Sequence, residues 1–375
     1  MRVPPLVIRH APVLNLHYCQ QVSEGISLEE LQLAARNHAL PLEALRWDIT
    51  PVGLHYLLTH YDIPDVDPVA WRLEIDGLVQ SPLSASLAEI RARPAVEVAV
   101  TMECAGNGRI HIEPRVVSQP WLLEAVGTAR WRGTPVTGLL EDAGVADGAT
   151  DALFTGLDRG VEGGEEQDYA RSVPLTELLQ GDAILAYEVN GIPLPPQHGY
   201  PLRLIVPGWY GMTSVKWLAR ITLLDAPHDG YQMRHSYRLR QEEDETGDPL
   251  ARIQLRSLMI PPGIPEYMTR ARTVRAGACE LEGRAWAGDA EIVGVDVSAD
   301  GGESWAAAKL GDDSLGRWAW RSWRFAWSAE PGEYELCCRA RDSEGRRQPL
   351  EPTWNLGGYG NNAVQRIRAT VVSEP

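Results

Sequence analysis

Cysteine is scarce in this chain. Five in 375 residues, at Cys19, Cys104, Cys279, Cys337 and Cys338, are odd in number and lack paired spacing, which argues against a disulfide framework. That usage suits a reducing cytoplasm. No window reaches the ~18 unbroken apolar residues of a membrane span. Residues 1–16 carry only Arg2 and Arg9 as basic residues and lack the apolar stretch of a secretory or twin-arginine leader. The expectation is a cytoplasmic protein. Positive charge is also in deficit, with 35 basic against 51 acidic residues and a formal net charge of -16. Such a balance repels nucleic acid and anionic membrane surfaces, and both are set aside as partners. Internal repeats, low-complexity tracts, a Cys-x-x-Cys-His haem attachment and an iron-sulfur cysteine cluster are missing too. The glycine-rich stretch at residues 160–166 carries carboxylates that would repel a phosphate, so it is no nucleotide fingerprint.

What is present is enough apolar material for a large core: 44% of residues are hydrophobic, and the length favours two domains. Residues 28–45 read as a helical preface, with apolar residues at mixed helical spacing. Ser27 ahead of Glu30 resembles a capping box there. From Trp71 onward, short apolar or alternating runs such as residues 71–75 and 96–102 are broken by Gly and Pro, with helical segments at 136–142 and 174–179. Strands and helices mixed without steady alternation predict an α+β domain rather than a doubly wound sheet. After about residue 260 the texture becomes all-β. Turn signals at 300–302, 331–332 and 342–345 separate runs such as 292–298 and 334–341, and seven or so short strands suit a β-sandwich. The expected division is 1–255 and 256–375, with the Pro/Gly stretch 261–265 near the joint. Adjacent Cys337 and Cys338 in one strand point to opposite faces and read as small core residues. Five aromatics between Arg317 and Trp327 read as sheet core or subunit interface.

Chemistry gathers in two segments. Thr101-Met102-Glu103-Cys104-Ala105-Gly106-Asn107-Gly108-Arg109 ends an apolar run and enters a small-residue loop, a place that presents a side chain to a ligand. Gly106 and Gly108 permit close backbone approach, and Arg109 is placed to lower the thiol pKa or to bind an anion. From these residues alone, a buried structural cysteine fits as well as a reactive one. Zinc would need more ligands than His111 supplies, and a cysteine hydrolase would need a base from His198 or His228 by tertiary placement alone. The second segment, from Tyr187 to Trp217, is dense in Pro and Gly. It offers His198, Arg203, Ser214 and Lys216 as a rigid set able to grip a phosphate-bearing cofactor. Taken singly, each is as readily a surface or capping residue.

Seven ordered motifs carry a family resemblance: Glu103-Cys104-Ala105-Gly106-Asn107, Thr128-Ala129-Arg130-Trp131, Gly156-Leu157-Asp158, Ala186-Tyr187-Glu188-Val189-Asn190-Gly191, His198-Gly199-Tyr200-Pro201, Val215-Lys216-Trp217-Leu218 and Trp318-Ala319-Trp320-Arg321. Over residues 56–366 the chain resembles the sulfite oxidase family of molybdenum enzymes, which includes plant nitrate reductases. The resemblance implies a sulfite oxidase-type molybdopterin-binding domain followed by an immunoglobulin-like dimerisation domain. The latter is carried by residues 295–305 and by Trp354-Asn355-Leu356. It further implies molybdenum held by one pterin's dithiolene and by the sulfur of Cys104, soft ligands suited to each other. Tyr56, His60, Asp158, His198, Arg203, Ser214 and Lys216 would bind the pterin. Arg109, Tyr237 and Arg366 would hold the substrate anion, with Trp121 as a pocket wall. The implied activity is two-electron, oxygen-atom oxidation of sulfite or a related small sulfur compound by a homodimer. Electrons would leave to an external acceptor, whether a cytochrome, another carrier or oxygen, with no haem in this chain. The alternatives are a reductase of nitrate or of an S- or N-oxide on the same metal site, and a non-catalytic pterin-binding protein. One departure stands out: the loop Tyr56-Leu57-Leu58-Thr59-His60 has Leu58 where the family's sulfite-active members place an arginine. Losing one charge-assisted contact costs ~1.5–3 kcal/mol of anion binding, and Arg238 or Arg240 is expected to compensate.

Overall fold

The computed structural model describes residues 25–311 and 315–373; Cys19 and the segment read for a leader lie outside them. Ser27 caps the first helix, Leu28–Arg36, as its spacing predicts. Its hydroxyl accepts from the Glu30 amide at 3.2 Å, while the Glu30 carboxylate accepts from the Ser27 amide at 2.8 Å. The helical preface is shorter than expected. Asn37 turns extended and donates its side-chain amide to the Leu33 carbonyl at 3.0 Å. After Pro41 only a 3-10 turn, Leu42–Arg46, follows. Nor do its leucines face a core, since Leu28 and Leu31 are exposed. The buried side chain is Glu30, paired with Arg115 at 2.5 Å, so this helix is held by an ion pair.

The first domain contains two five-stranded sheets. One runs in the order Leu83–Ser86, Arg72–Gly77, Leu218–Leu224, Asp151–Glu162, Glu165–Pro174, with a parallel pairing of Arg72–Gly77 on Leu218–Leu224. Alternation does its usual sorting here: Leu73 and Ile75 are buried, whereas Arg72 before them and Glu74 between them are not. The helix Val136–Ala143 adds Val136, Leu139, Leu140 and Ala143 to the same core, a stripe at helical spacing. The other sheet holds Val96–Glu103, Val126–Pro135, Ile184–Val189, Ile192–Pro193 and Arg203–Ile205. From Ala99 onward Val96–Glu103 is buried at every residue. The Thr101 hydroxyl meets that of Thr128 at 2.6 Å and also accepts from the Trp320 amide at 2.7 Å. This strand is therefore fixed from both sides before it delivers Cys104.

The second domain is a pair of facing sheets of four and six strands. Their shared core includes Leu281, Val295, Val297, Trp323, Leu336 and Cys338. Each fully buried aliphatic contributes about 1.5–3 kcal/mol. Cys337 and Cys338 are adjacent, buried and free in the strand Gly332–Asp342. The aromatic stripe divides differently from the expectation, because the strand begins only at Arg321. Trp323 and Trp327 enter the sandwich core, whereas Trp318 and Trp320 precede the strand and clasp the first domain. The Trp318 carbonyl accepts from the Thr101 amide at 2.8 Å, and the Trp320 indole donates to the Asp48 carbonyl at 2.9 Å. Overall the described chain is dominated by strands, with five short α-helices. None of its helices is long and apolar enough to cross a membrane.

Candidate active site

Cys104 follows directly on the strand Val96–Glu103, and its amide donates to the Ala125 carbonyl at 2.9 Å. The sulfur lines two adjoining cavities. Burial pushes the thiol pKa up, against the pull of the Arg109 guanidinium. The glycines of this loop serve the protein's own packing. A side chain at Gly106 would strike the Arg109 guanidinium 2.6 Å away. At Gly108, where φ is +85°, it would meet the Asn361 amide at 2.9 Å.

The first cavity gathers every residue assigned to cofactor binding: Tyr56, His60, Cys104, Asp158, His198, Arg203, Ser214 and Lys216. Its floor is basic and rigid. Arg203 donates to the carbonyls of His198 at 3.0 Å and Ser214 at 3.1 Å, and it lies over the Trp131 ring with its guanidinium carbon 4.8 Å from the centroid. Lys216 donates to the carbonyls of Leu58 at 2.9 Å and Gln197 at 3.2 Å. Burial disfavours charge on both members of the nearby Asp158 and Lys216 pair, raising the acid and lowering the amine. It also keeps the histidines neutral, with His55 lowered to about 4 and His198 to about 2. Three buried polar atoms of this cavity, His55 Nε2, Asp158 Oδ1 and Arg203 Nε, find no hydrogen-bond partner among the described residues. Buried polar atoms are rarely left so. The donor set therefore fits a polar, anionic cofactor. Among the described residues no three His, Cys or carboxylate side chains converge as a metal site. Cys104 is thus suited to be a single soft ligand to a metal whose other donors come with the cofactor.

The second cavity, about 310 Å³, adjoins the first at Cys104 and adds Arg109 and Trp121 to the lining, with Leu58, His60 and Tyr237 shared between the two. Tyr237 sits in the left-handed backbone region at φ 56°, a rare and costly setting for a bulky residue. It is held there by a 2.5 Å hydrogen bond between its hydroxyl and His60 Nε2, and by Leu250, whose amide donates to its carbonyl at 2.9 Å. Arg109 is 4% exposed. It donates to the carbonyls of Gly357 and Gln119, each at 3.1 Å, and stacks on Tyr359 at 5.0 Å. The loop around Trp354 to Tyr359 thus reaches from the second domain into the wall of the site.

Not every assigned residue arrives here. Arg366 lies on the strand Gln365–Val372 of the sandwich, paired with Glu335 at 2.7 Å and Glu351 at 3.0 Å, and lines neither cavity of Cys104. Arg238 and Arg240 do not replace the charge absent at Leu58. Arg238 is spent on the carbonyls of Thr246, Met233 and Gly247, and Arg240 on that of His235. Residues that sequence reasoning missed include Arg171, buried against the Tyr237 ring at 5.3 Å, and Tyr169, stacked on His60 at 4.5 Å. Both lie on Glu165–Pro174, whose alternation marks a strand but not which face meets a ligand. Arg36, from the last turn of the first helix, also lines the second cavity.

Comparison with known proteins agrees with this geometry. Residues 60–232 match the oxidoreductase molybdopterin binding domain, and residues 250–372 the Mo-co oxidoreductase dimerisation domain. Sulfite oxidase of Gallus gallus is 36% identical over 336 residues, covering 85% of this chain and 72% of the relative. Mitochondrial sulfite oxidase of Homo sapiens is 35% identical over 341 residues, covering 86% of this chain; the chain spans 62% of that relative's length. A nitrate reductase [NADH] of Ulva prolifera is 30% identical over 354 residues, 85% of this chain and 40% of the relative. The crystal structure of the sulfane dehydrogenase SoxCD from Paracoccus pantotrophus superposes with a TM-score of 0.76 at 24% identity, covering 99% of this chain and 97% of that one. That likeness speaks to the fold alone. The cavity and the matched domain define a molybdopterin-binding oxidoreductase site. The chain belongs to the sulfite oxidase family of molybdenum-pterin oxidoreductases.

Proposed function

We propose that this protein oxidises sulfite or a related small sulfur compound by two-electron oxygen-atom transfer and passes the electrons to a separate acceptor. When bound, the molybdenum-pterin group supplies the redox and oxygen-transfer chemistry. The observation that carries the reading is the position of Cys104. Cys104 lines both a cradle of buried, partly unpartnered polar side chains and an adjoining cavity that adds Arg109 and Trp121, with Tyr237 common to the two. Arg203 and Lys216 would hold an anionic group of the cofactor, with His198 and His55 neutral in the same cavity. Arg109, fixed by two carbonyls, keeps a positive charge over the Cys104 loop to attract the substrate's oxygens. Tyr237, its phenol pKa raised well above the usual value by burial, stays protonated and offers a hydrogen bond at the same place. Trp121, 4% exposed, excludes water from one wall.

The test is metal and pterin analysis of matured protein, followed by turnover with sulfite and a dye acceptor. Molybdenum and pterin should each approach one per chain, and Cys104→Ser should lower kcat by at least ~100-fold, equivalent to about 2.7 kcal/mol, with the thermal midpoint little changed. Absence of molybdenum, or a serine variant with intact turnover, would end the reading. A reductase of nitrate or of an S- or N-oxide is the second reading. It is favoured by Leu58 and by the similarity to nitrate reductase. Turnover of an oxide with reduced dye, and none of a sulfur compound with oxidised dye, would establish it. Dimerisation through an immunoglobulin-like second domain belongs to the same proposal, supported by the match over residues 250–372.

A further inference from the structure

The cavity on the Arg109 side is poorly built for sulfite alone. At about 310 Å³ it has room for several water molecules beyond one small anion. Its charges are also mixed. Leu58 contributes none, and Arg109, with Nε and Nη1 bonded to backbone carbonyls, keeps Nη2 for one anionic group. Arg36 lines the same cavity and has no ion-pair partner among the described residues. A carboxylate lines it as well. Glu162 Oε2 accepts from the Tyr61 hydroxyl at 3.1 Å and the Gln232 amide at 2.5 Å, while Oε1 has no protein partner among the described residues. A carboxylate beside a site for an inorganic dianion opposes binding. It is useful to a substrate that carries an anion at one end and a cationic donor at the other.

Resting on the oxidoreductase reading above, we propose that the natural substrate is an organic sulfinate bearing an ammonium group. The sulfinate faces Arg109 and Tyr237, with Arg36 supporting it from the rim, and the ammonium meets Glu162. The reaction is R-SO₂⁻ + H₂O → R-SO₃⁻ + 2 H⁺ + 2 e⁻. One S–O bond forms with the oxygen of water, both water O–H bonds are broken, and sulfur loses two electrons to two equivalents of an external one-electron acceptor.

The test uses matured holoenzyme with ferricyanide as acceptor and compares sulfite, ethanesulfinate and 2-aminoethanesulfinate. Wild type should prefer 2-aminoethanesulfinate over ethanesulfinate by roughly tenfold or more in kcat/KM, the worth of one charge-assisted contact. It should prefer 2-aminoethanesulfinate over sulfite as well. Glu162→Gln should lower the ratio of the two sulfinates by about 10- to 100-fold, mainly through KM. Glu162→Asp should restore part of it, at equal molybdenum and pterin content. Preference for sulfite or ethanesulfinate in wild type, or a ratio unmoved by Glu162→Gln, overturns the inference. So does a loaded enzyme that turns over neither sulfinate, and if Glu162→Gln fails to load, the wild-type ratios alone decide. Oxidation of sulfite only sinks this inference while leaving the oxidoreductase reading standing. Protein without molybdenum sinks both.

Discussion

His55 and His198 are 3% and 4% exposed and face each other edge to face at 5.9 Å. Each has a folded pKa far below the ordinary 6.5, at about 4 and about 2. Burial is the first cause, and neighbouring positive charge adds to it. The folded state therefore keeps both neutral while the unfolded chain takes up protons below about 6.5, so acid favours unfolding across that window. Stability is complete above pH 6.5 and is lost as pH falls toward the folded values, by on the order of 2 kcal/mol per histidine at pH 5. Cofactor-free protein should show a falling urea midpoint between pH 7 and pH 5, and His55→Gln should show a smaller fall. A flat midpoint would contradict neutral burial. At this scale the sequence was informative in part. The residues around Cys104 left a structural and a reactive cysteine equally open, and its ligand role rested on the family resemblance. His198, Arg203 and Lys216 were readable as a set on a Pro/Gly-dense stretch. Arg366 was assigned from the family resemblance, and in the fold it lies on Gln365–Val372 paired with Glu335 and Glu351 rather than beside Cys104. Arg36 is not legible in the sequence because it ends a helix anchored by the ion pair of Glu30 with the distant Arg115, which no local pattern reveals.

At the scale of elements, the strand that ends at Glu103 is the one on which the site depends. Glu103 is 2% exposed and Arg256 1%. Arg256 Nη1 stands 3.0 Å from Glu103 Oε1, off the hydrogen-bonding direction. The Trp286 indole donates to Oε2 at 2.8 Å and the Asn107 amide to Oε1 at 3.0 Å. Burial raises the Glu103 pKa, with Arg256 and the two donors working against it. This knot ties the end of Val96–Glu103 to two strands of the sandwich, Arg256–Met259 and Gly277–Trp286, one residue before Cys104. Glu103→Ala leaves a guanidinium buried without its partner and should cost about 3–5 kcal/mol, read as a lowered denaturation midpoint. Glu103→Leu combined with Arg256→Met removes both charges and should recover most of it. Equal losses in the single and double variants would show that the pair stabilises by packing alone. Helices and strands were largely legible because the 136–143 stripe and the 292–298 run follow simple periodicities. The preface misled because Leu28 and Leu31 are apolar yet sit on a nine-residue helix with little to cover them. Trp318 and Trp320 misled because the same aromatic spacing serves a clasp as well as a strand.

For the whole molecule, the described surface carries an apolar cluster on an edge hairpin. The hairpin from Ile264–Pro265 to Arg272–Arg275, at the edge of the six-stranded sheet, exposes Ile264 at 70%, Tyr267 at 86% and Met268 at 79%. Clustered exposed apolar side chains on an edge hairpin mark an interaction site. A second copy of this chain is the occupant that the dimerisation-domain match over residues 250–372 supports. The net charge of -16 then makes a further demand, because two copies repel each other at long range. The apolar contact must overcome that repulsion, and salt screens it over about 8 Å at 0.15 M. Dimer affinity should accordingly rise with ionic strength, opposite to an interface built on complementary charge. Sedimentation equilibrium should show tighter association between about 0.02 and 0.15 M salt, the range over which the screening length shortens most. The double change Tyr267→Asp with Met268→Asp should shift the population toward monomer while cofactor content stays constant. A wild type that is monomeric at every salt concentration, or a double variant that associates as well as wild type, would place the contact elsewhere or remove it.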